Sequence, residues 1–443
     1  MLIALLALLA AQAPTPPSHD PRLYDVARGI PAAATEAVVR TLVGFGTRHT
    51  LSDTVSTTRG IGAARRWIKA EFDRIAEQCG GCLEVRFDRG MLKAGPGTRI
   101  TKDVELVNVV AIQRGQKYPD RYVLITGHYD SRAGDPNDAT SDAPGAVDDA
   151  SGTAAVIEVA RLLSKQKFDK TIVYGALAGE EQGLLGGQQL AKYAKEQDWR
   201  VEGVLNNDIV GNSEGIGGQV DNLTFRIFSE PTAATEPEEE RRGRRMTGGE
   251  IDGPSRQLAR YVHTVARQVL PMMRPKLVYR LDRFGRGGDH RAFNDAGFAA
   301  VRITEAYENY NRQHQNVRTE NGIAYGDVPE KADFPYAARI AGVNAAALAA
   351  LAWAPPPPTA VRLRGGVSAA TSLSWQAAPG TVGYKIYWRD TTDPLWSQSR
   401  YVGSVTQFTL DGILIDDHLF GVASVGADGN ESLVTFPTPG GSQ

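Results

Sequence analysis

The sequence predicts two parts: an α/β sandwich on a mixed, largely parallel sheet covered by helices, then a small all-β sandwich. Three observations predict this. Solid apolar runs alternate with segments of helical period up to residue 354. Residues 355–358 are four consecutive prolines, a stiff and extended stretch suited to a linker. Beyond them the text changes to short alternating strands with turn residues between them and no helical stripe.

Residues 2–11 read LIALLALLAA, about half of the ~20 residues that a membrane-spanning helix needs. Small residues follow at Ala11 and Ala13, so residues 1–13 are expected to be a cleaved signal and the protein to be exported, periplasmic or secreted. Trp67, Ile68, Phe72 and Ile75 form a helix-like stretch ahead of Cys79-Gly80-Gly81-Cys82. There is no second such pair to complete a zinc ribbon, and no strand precedes this one as a thioredoxin-like motif requires. In an exported chain it reads as a short-range structural disulfide.

The expected strands are Leu106–Ile112, Tyr122–Thr126, Thr171–Ala176, Val204–Asn207, Lys276–Leu281 and Ala299–Ile303. Several are unbroken apolar runs, as in strands buried on both faces. Helices are expected between them, where Ala155, Val156, Val159, Leu162 and Leu163 recur at helical spacing. Leu258, Tyr261, Val262, Val265 and Val269 do the same, as do Ile340, Val343 and Leu348. In residues 230–255 a cluster of Glu236, Glu238, Glu239 and Glu240 abuts Arg241, Arg242, Arg244 and Arg245, which reads as a solvated, mobile loop. After the prolines, Leu373 and Trp375, Tyr384 and Ile386, and Phe420, Val422 and Ser424 alternate with their neighbours. The expected organisation is a leader at 1–13, a main domain at 14–354, a linker at 355–359 and a sandwich at 360–443.

Composition excludes several classes. Hydrophobic residues make up 42% of the 443 and charged residues 23%, which rules out a collagen-like, wholly disordered or polytopic membrane chain. Lys and Arg number 49 against 51 Asp and Glu, so nothing in the charge balance favours nucleic acid as a partner.

Four motifs carry ligand-type residues to strand ends. Gly127-His128-Tyr129-Asp130 follows the strand VLIT, and Asp148-Asp149-Ala150-Ser151-Gly152 precedes a helix. Gly179-Glu180-Glu181 follows IVYGALA, and Asn206-Asn207-Asp208 ends the strand GVLN. A parallel sheet binds its ligands beyond the carboxyl ends of its strands. His128, Asp148, Glu181 and Asp208 offer nitrogen and oxygen donors of the kind that zinc accepts. So many carboxylates at one point repel one another without cations, and two metals sharing one carboxylate would neutralise them and hold a water. A second histidine is then needed further on, and His290 and His314 are the candidates.

This series resembles the zinc aminopeptidases with a co-catalytic two-zinc site, the family of the bacterial leucyl aminopeptidase of vibrios. The shared text is His-x-Asp, Asp-Asp-Ala-Ser-Gly, Glu-Glu, Asp and a late His, over roughly residues 36–350. Gly288-Asp289-His290-Arg291-Ala292-Phe293 and Gly297-Phe298-Ala299 resemble a further family segment. The resemblance implies a zinc exopeptidase-like fold and two Zn²⁺ per chain. His128 and Asp208 would bind one, Glu181 and His314 the other, and Asp148 both. Asp130 would orient His128, and Glu180 would be the general base. A cis peptide would join Asp148 and Asp149. The chain departs from the family around His314, where the usual Thr-Pro is missing. The substrates implied are peptides with a free N-terminus.

The last ~85 residues resemble a fibronectin type III domain, with Leu410–Ile413 and His418–Val422 at its E–F corner, although that family usually has Tyr where His418 stands. Such a domain implies a spacer or a contact with a surface or polymer, and fold alone implies no chemistry. Other readings of the chain are a glutaminyl cyclase, a carboxypeptidase using Arg286, Arg291 or Arg302 for a C-terminal carboxylate, and a non-enzymatic adhesion protein.

Overall fold

The computed structural model describes residues 14–437, so the expected signal segment lies outside the described residues. The described chain forms two units. One is Pro21–Trp353, and the other joins residues 14–20 to residues 354–437.

The first unit runs α1 (Arg22–Arg28), α2 (Ala32–Val43), α3 (Gly60–Gln78), β1 (Glu84–Leu92), β2 (Val104–Gln113), β3 (Tyr118–His128) and α4 (Ala150–Leu163). It continues with β4 (Lys170–Leu177), α5 (Leu185–Glu196), β5 (Arg200–Asn207), β6 (Thr224–Ser229), α6 (Glu238–Thr247) and α7 (Pro254–Val269). β7 (Arg274–Val278), α8 (His290–Asp295), β8 (Ala300–Glu305), β9 (Arg318–Glu320), β10 (Ile323–Tyr325) and α9 (Phe334–Trp353) complete it.

Eight strands form one sheet in the order β1-β2-β4-β3-β5-β8-β6-β7. Its centre is parallel, with β3 between β4 and β5 and β8 beyond β5. β1, β2 and the β6–β8 pair are antiparallel. Every residue of β4 is buried, as its apolar run requires in the middle of a two-faced sheet. On one face Val110, Leu124, Val173 and Val204 pack with Leu190 and Ala194 of α5 and Phe293 of α8. α4 and α9 cover the other face of β3 and β4. α9 is apolar on all sides and long enough to cross a membrane, yet 89% of its most apolar window is buried. It is the core helix of the unit.

The strands missed in the sequence have local reasons. β1 is an edge strand, exposed or half-buried at nearly every position, so it lacks an apolar run. β6 is short and places Arg226 within TFRIFS. The expectation of a loop at 230–255 is corrected over α6, which is a helix, although Glu238, Glu239, Arg241, Arg242 and Arg245 are exposed as a solvated segment requires. Arg244 is buried there, bonded to Glu236 and, at 3.1 Å, to Glu240. Opposite charges one turn apart neutralise each other and support a helix that composition alone hides. Cys79 and Cys82 form a disulfide at the end of α3, with S–S 2.07 Å.

The second unit contains β11 (Thr359–Arg364), β12 (Ala370–Gln376), β13 (Gly383–Asp390), β14 (Gln398–Gly403), β15 (Gln407–Asp411) and β16 (His418–Val425). They form two antiparallel sheets, β11-β12-β15 and β14-β13-β16. Val361, Leu373, Trp375 and Leu410 from one sheet meet Tyr384, Ile386, Val402, Phe420 and Val422 from the other. His418 Nδ1 lies 2.9 Å from the carbonyl of Leu414, so the ring hydrogen-bonds across the turn before β16. The N-terminal stretch is tied in by Asn430 Nδ2, which donates to Asp20 Oδ2 at 2.8 Å.

Candidate metal centre

The parallel strands β3, β4 and β5 end level with one another, His128 opposite Leu177 and Thr126 opposite Asn206. His128 is the last residue of β3, Glu180 and Glu181 follow β4, and Asp208 follows β5. Asp148 lies two residues before α4, whose N-cap is Asp149. The Asp149 carboxylate accepts from the N–H groups of Gly152, His128 and Ile209. It therefore ties the end of β3 and the turn after β5 to the start of α4, and this is why a second aspartate follows Asp148. The Asp148–Asp149 peptide is cis.

The five side chains expected to bind metal converge. His128 Nε2 is 3.2 Å from Asp148 Oδ1 and 3.9 Å from Asp208 Oδ1. His314 Nε2 is 2.9 Å from Asp148 Oδ2 and 3.1 Å from Glu181 Oε1. The donors fall into two groups, His128 with Glu180 and Asp208, and Asp148 with Glu181 and His314. His290 is elsewhere: its Nε2 lies 2.8 Å from the carbonyl of Leu281 and 3.7 Å from Asp282. His314 reaches the site from the loop between β8 and β9, with φ 54°.

Asp130 does two things. Its Oδ1 lies 3.4 Å from His128 Nδ1, and its backbone oxygen lies 3.2 Å from the same nitrogen. Its carboxylate also accepts from the N–H groups of Glu180 and Glu181, which holds the Glu-Glu loop against β3. Arg302 grips Asp208 with two nitrogens, at 2.6 and 2.8 Å.

Two residues that the sequence did not reveal shape the loop carrying Asp148. The Asp327 carboxylate accepts from the N–H groups of Val147 and Asp148, at 2.9 and 2.7 Å. Arg48, fully buried, donates to the carbonyls of Leu42, Tyr129, Pro144 and Gly145. Burial pulls its pKa down to about 10, although Asp327 and Asp130 oppose this. Neither residue sits in a motif, and their partners are up to 180 residues away in sequence. Arg48→Met should fill similar space but take the donor from the carbonyls of Tyr129 and Pro144, while those of Leu42 and Gly145 keep the N–H groups of Phe45 and Ala150. We expect a loss of about 2–4 kcal/mol in urea unfolding, because each unpaired buried polar group costs about 1–3 kcal/mol. A midpoint unchanged from wild type would show the four bonds to be dispensable.

The charges demand a cation. Burial lowers the His128 pKa, but Glu180, Asp130 and Asp148 outweigh it and hold the ring well above its ordinary value. Burial likewise opposes protonation of His314, yet Glu181 and Asp148 raise it to about 10. Burial raises the Glu180 pKa well above the usual carboxylate range; His128 pulls it back, while Asp208 and Glu181 push it up. His128 Nε2 and Glu181 Oε1 are buried without a hydrogen-bond partner among the described residues. Orphaned donors aimed into a field of carboxylates suit a divalent metal, and nitrogen with oxygen ligands suits zinc. The groups open into a cavity of about 810 Å³ lined by Asp148, Glu180, Glu181, Asp208 and His314, among others.

Comparison with known proteins agrees with this geometry. Residues 108–328 match the model of peptidase family M28. The chain is 44% identical over 427 residues to a probable zinc metalloprotease of Leptosphaeria maculans, covering 96% of this chain and 98% of that one. It is also 44% identical over 442 residues to one of Pyricularia oryzae, covering 98% and 86%. Among solved structures, Legionella pneumophila LapA superposes with TM-score 0.55 at 18% identity, over 75% of this chain and 76% of that one. An aminopeptidase from Aneurinibacillus sp. strain AM-1 superposes with TM-score 0.51 at 13% identity, over 74% and 95%. These two similarities are of fold. The relatives extend over nearly the whole chain, and the family match covers the segment from β2 to Asp327 that holds His128, Asp148, Glu180, Glu181, Asp208 and His314; the chain belongs to peptidase family M28 and is a zinc metallopeptidase.

Proposed function

We propose that this peptidase is an aminopeptidase with a pair of zinc ions, removing one residue at a time from the N-terminus of peptides. The observation that carries the reading is Asp148, whose two oxygens face two different histidines, 3.2 Å from His128 and 2.9 Å from His314. A carboxylate in that position suits the shared ligand of two ions. His128 and Asp208 would hold one, Glu181 and His314 the other. When bound, zinc supplies Lewis-acid chemistry that polarises a carbonyl and acidifies water.

The protein's own groups do the rest. Glu180 lines the cavity, and no hydrogen bond to its carboxylate is formed among the described residues. Its raised pKa suits a general base that takes a proton from the attacking water and passes it to the leaving amine. Asp130 holds His128 in one orientation and keeps the Glu180 backbone in register with it. Arg302 fixes Asp208 through its fork.

The test is hydrolysis of leucine p-nitroanilide beside its N-acetyl analogue. Cleavage of the free amine alone, abolished by chelator and restored by zinc, is the expected result. Equal cleavage of both compounds would exclude an N-terminal exopeptidase. His314→Ala should retain about one zinc where the wild type holds two, and full retention would place that ligand elsewhere.

Export rests on the apolar run at residues 2–11 and the small residues after it. The two-sheet unit supports a fibronectin type III-like spacer or surface contact, in which His418, bonded to Leu414, would take the corner place that the family gives to tyrosine.

A further inference from the structure

Beyond the metal groups, the cavity wall is rich in arginine: Arg99, Arg132, Arg283, Arg286 and Arg291 line it. Most are committed. Arg283 bonds Asp282 and Glu308, and Arg286 lies 2.5 Å from Glu308. Arg99 donates to the carbonyl of Glu181, and Arg132 to those of Ala133 and Gly134. Lys93, which also lines the cavity, lies 2.7 Å from Asp103, and Arg302 is occupied by Asp208.

Arg291 is different. It has no hydrogen bond or ion pair among the described residues, and its Nε is buried without a partner. Its position is also particular. A Cβ on Gly287 would lie 2.9 Å from Arg291 Nη1 and 3.5 Å from Leu184 Cδ1. A Cβ on the next residue, Gly288, would lie 3.0 Å from Asp208 Oδ2. The guanidinium therefore lies against Gly287, whose neighbour Gly288 abuts Asp208, and it lines the same cavity as Glu180, Glu181 and Asp208. The carboxylates that line the cavity are Asp148, Glu180, Glu181 and Asp208, all within those groups. Zinc would neutralise them and leave the wall positive. A partly buried guanidinium fork without a partner matches a carboxylate in shape and charge.

We propose that Arg291 anchors a substrate carboxylate, so that the preferred substrates are short peptides with an acidic side chain at or next to the cleaved residue. This rests on the aminopeptidase reading for the bond that is cut, but not for the binding. A terminal carboxylate of a dipeptide offers the same chemistry, and the test separates the two sources.

Four peptides should be compared at the zinc-loaded full-length enzyme: Ala-Ala-amide, Glu-Ala-amide, Ala-Glu-amide and Ala-Ala with a free carboxylate. At least one carboxylate-bearing peptide is expected to exceed Ala-Ala-amide in kcat/KM by roughly ten- to hundredfold, the size of a charge-assisted hydrogen bond. The favoured peptide identifies the source of the carboxylate. Arg291→Gln should collapse that ratio, mainly through KM, and Arg291→Lys should recover part of it. A wild type that treats all four alike overturns the proposal. So does an Arg291→Gln enzyme that slows all four in proportion, which is the mark of a structural role. Calorimetry with Glu180→Gln enzyme repeats the comparison without turnover. Equal affinity for acid and amide overturns the proposal. Carboxylate-dependent binding with no cleavage of any peptide by the active enzyme supports Arg291 and overturns the aminopeptidase reading instead.

Discussion

Glu180→Gln is expected to lower kcat on leucine p-nitroanilide by about 10²–10⁴-fold, the usual worth of a general base, while the zinc content stays at the wild-type value. The side chain is nearly isosteric, so the loop between β4 and α5 should keep its shape. The backbone N–H of residue 180, which donates to Asp130, is unaffected by the change. What is lost is a carboxylate that faces the cavity and whose pKa is held up by burial and by Asp208 and Glu181. An amide cannot accept and return a proton. Turnover within threefold of wild type, with metal content measured on the same sample, would remove Glu180 from the role of base. A parallel loss of zinc would instead make it a ligand, which its grouping with His128 and Asp208 makes a real alternative to exclude.

The second large effect is expected at Asp148. Asp148→Asn should lose most of the zinc on dialysis and at least about 10³ in kcat/KM, because Lewis-acid stabilisation is worth several kcal/mol and each 1.36 kcal/mol is tenfold. The reason is position. Burial raises the Asp148 pKa, but His314 and His128 override it and hold the carboxylate well below its usual range. Its two oxygens face opposite histidines, so removing its charge weakens both groups together. His314→Ala touches one group only. The comparison is therefore sharp: if the two variants lose zinc to the same extent, Asp148 is not shared. Metal analysis by atomic emission and a kinetic assay on the same preparations are sufficient.

Much of the site was legible because metal chemistry admits few residue types. His128, Glu181 and Asp208 stand at or just after the ends of apolar runs that marked β3, β4 and β5, and Asp148 stands just before α4. Solid burial leaves an unmistakable trace, since a central strand has no polar face to show. β1 left no such trace, being an exposed edge. The charged segment at 236–245 read as a loop because its helix is mostly exposed and carries no apolar stripe; only Arg244 of α6 is buried, beside Glu236 and Glu240. The late histidine was open between His290 and His314 because spacing alone does not give direction. The fold resolves it: His290 starts α8 and turns to Leu281, while the loop after β8 brings His314 to Asp148.

The two-part architecture, the central strands and the chemical type of each candidate ligand were thus readable along the chain. Those depend on local periodicity and on the short list of side chains that bind metal. Which carboxylate faces both histidines, that Arg291 is left without a partner, and how Arg48 and Asp327 hold the Asp148 loop emerge once the chain is folded. These are matters of distance between segments far apart in the chain, and no short window of sequence contains both partners.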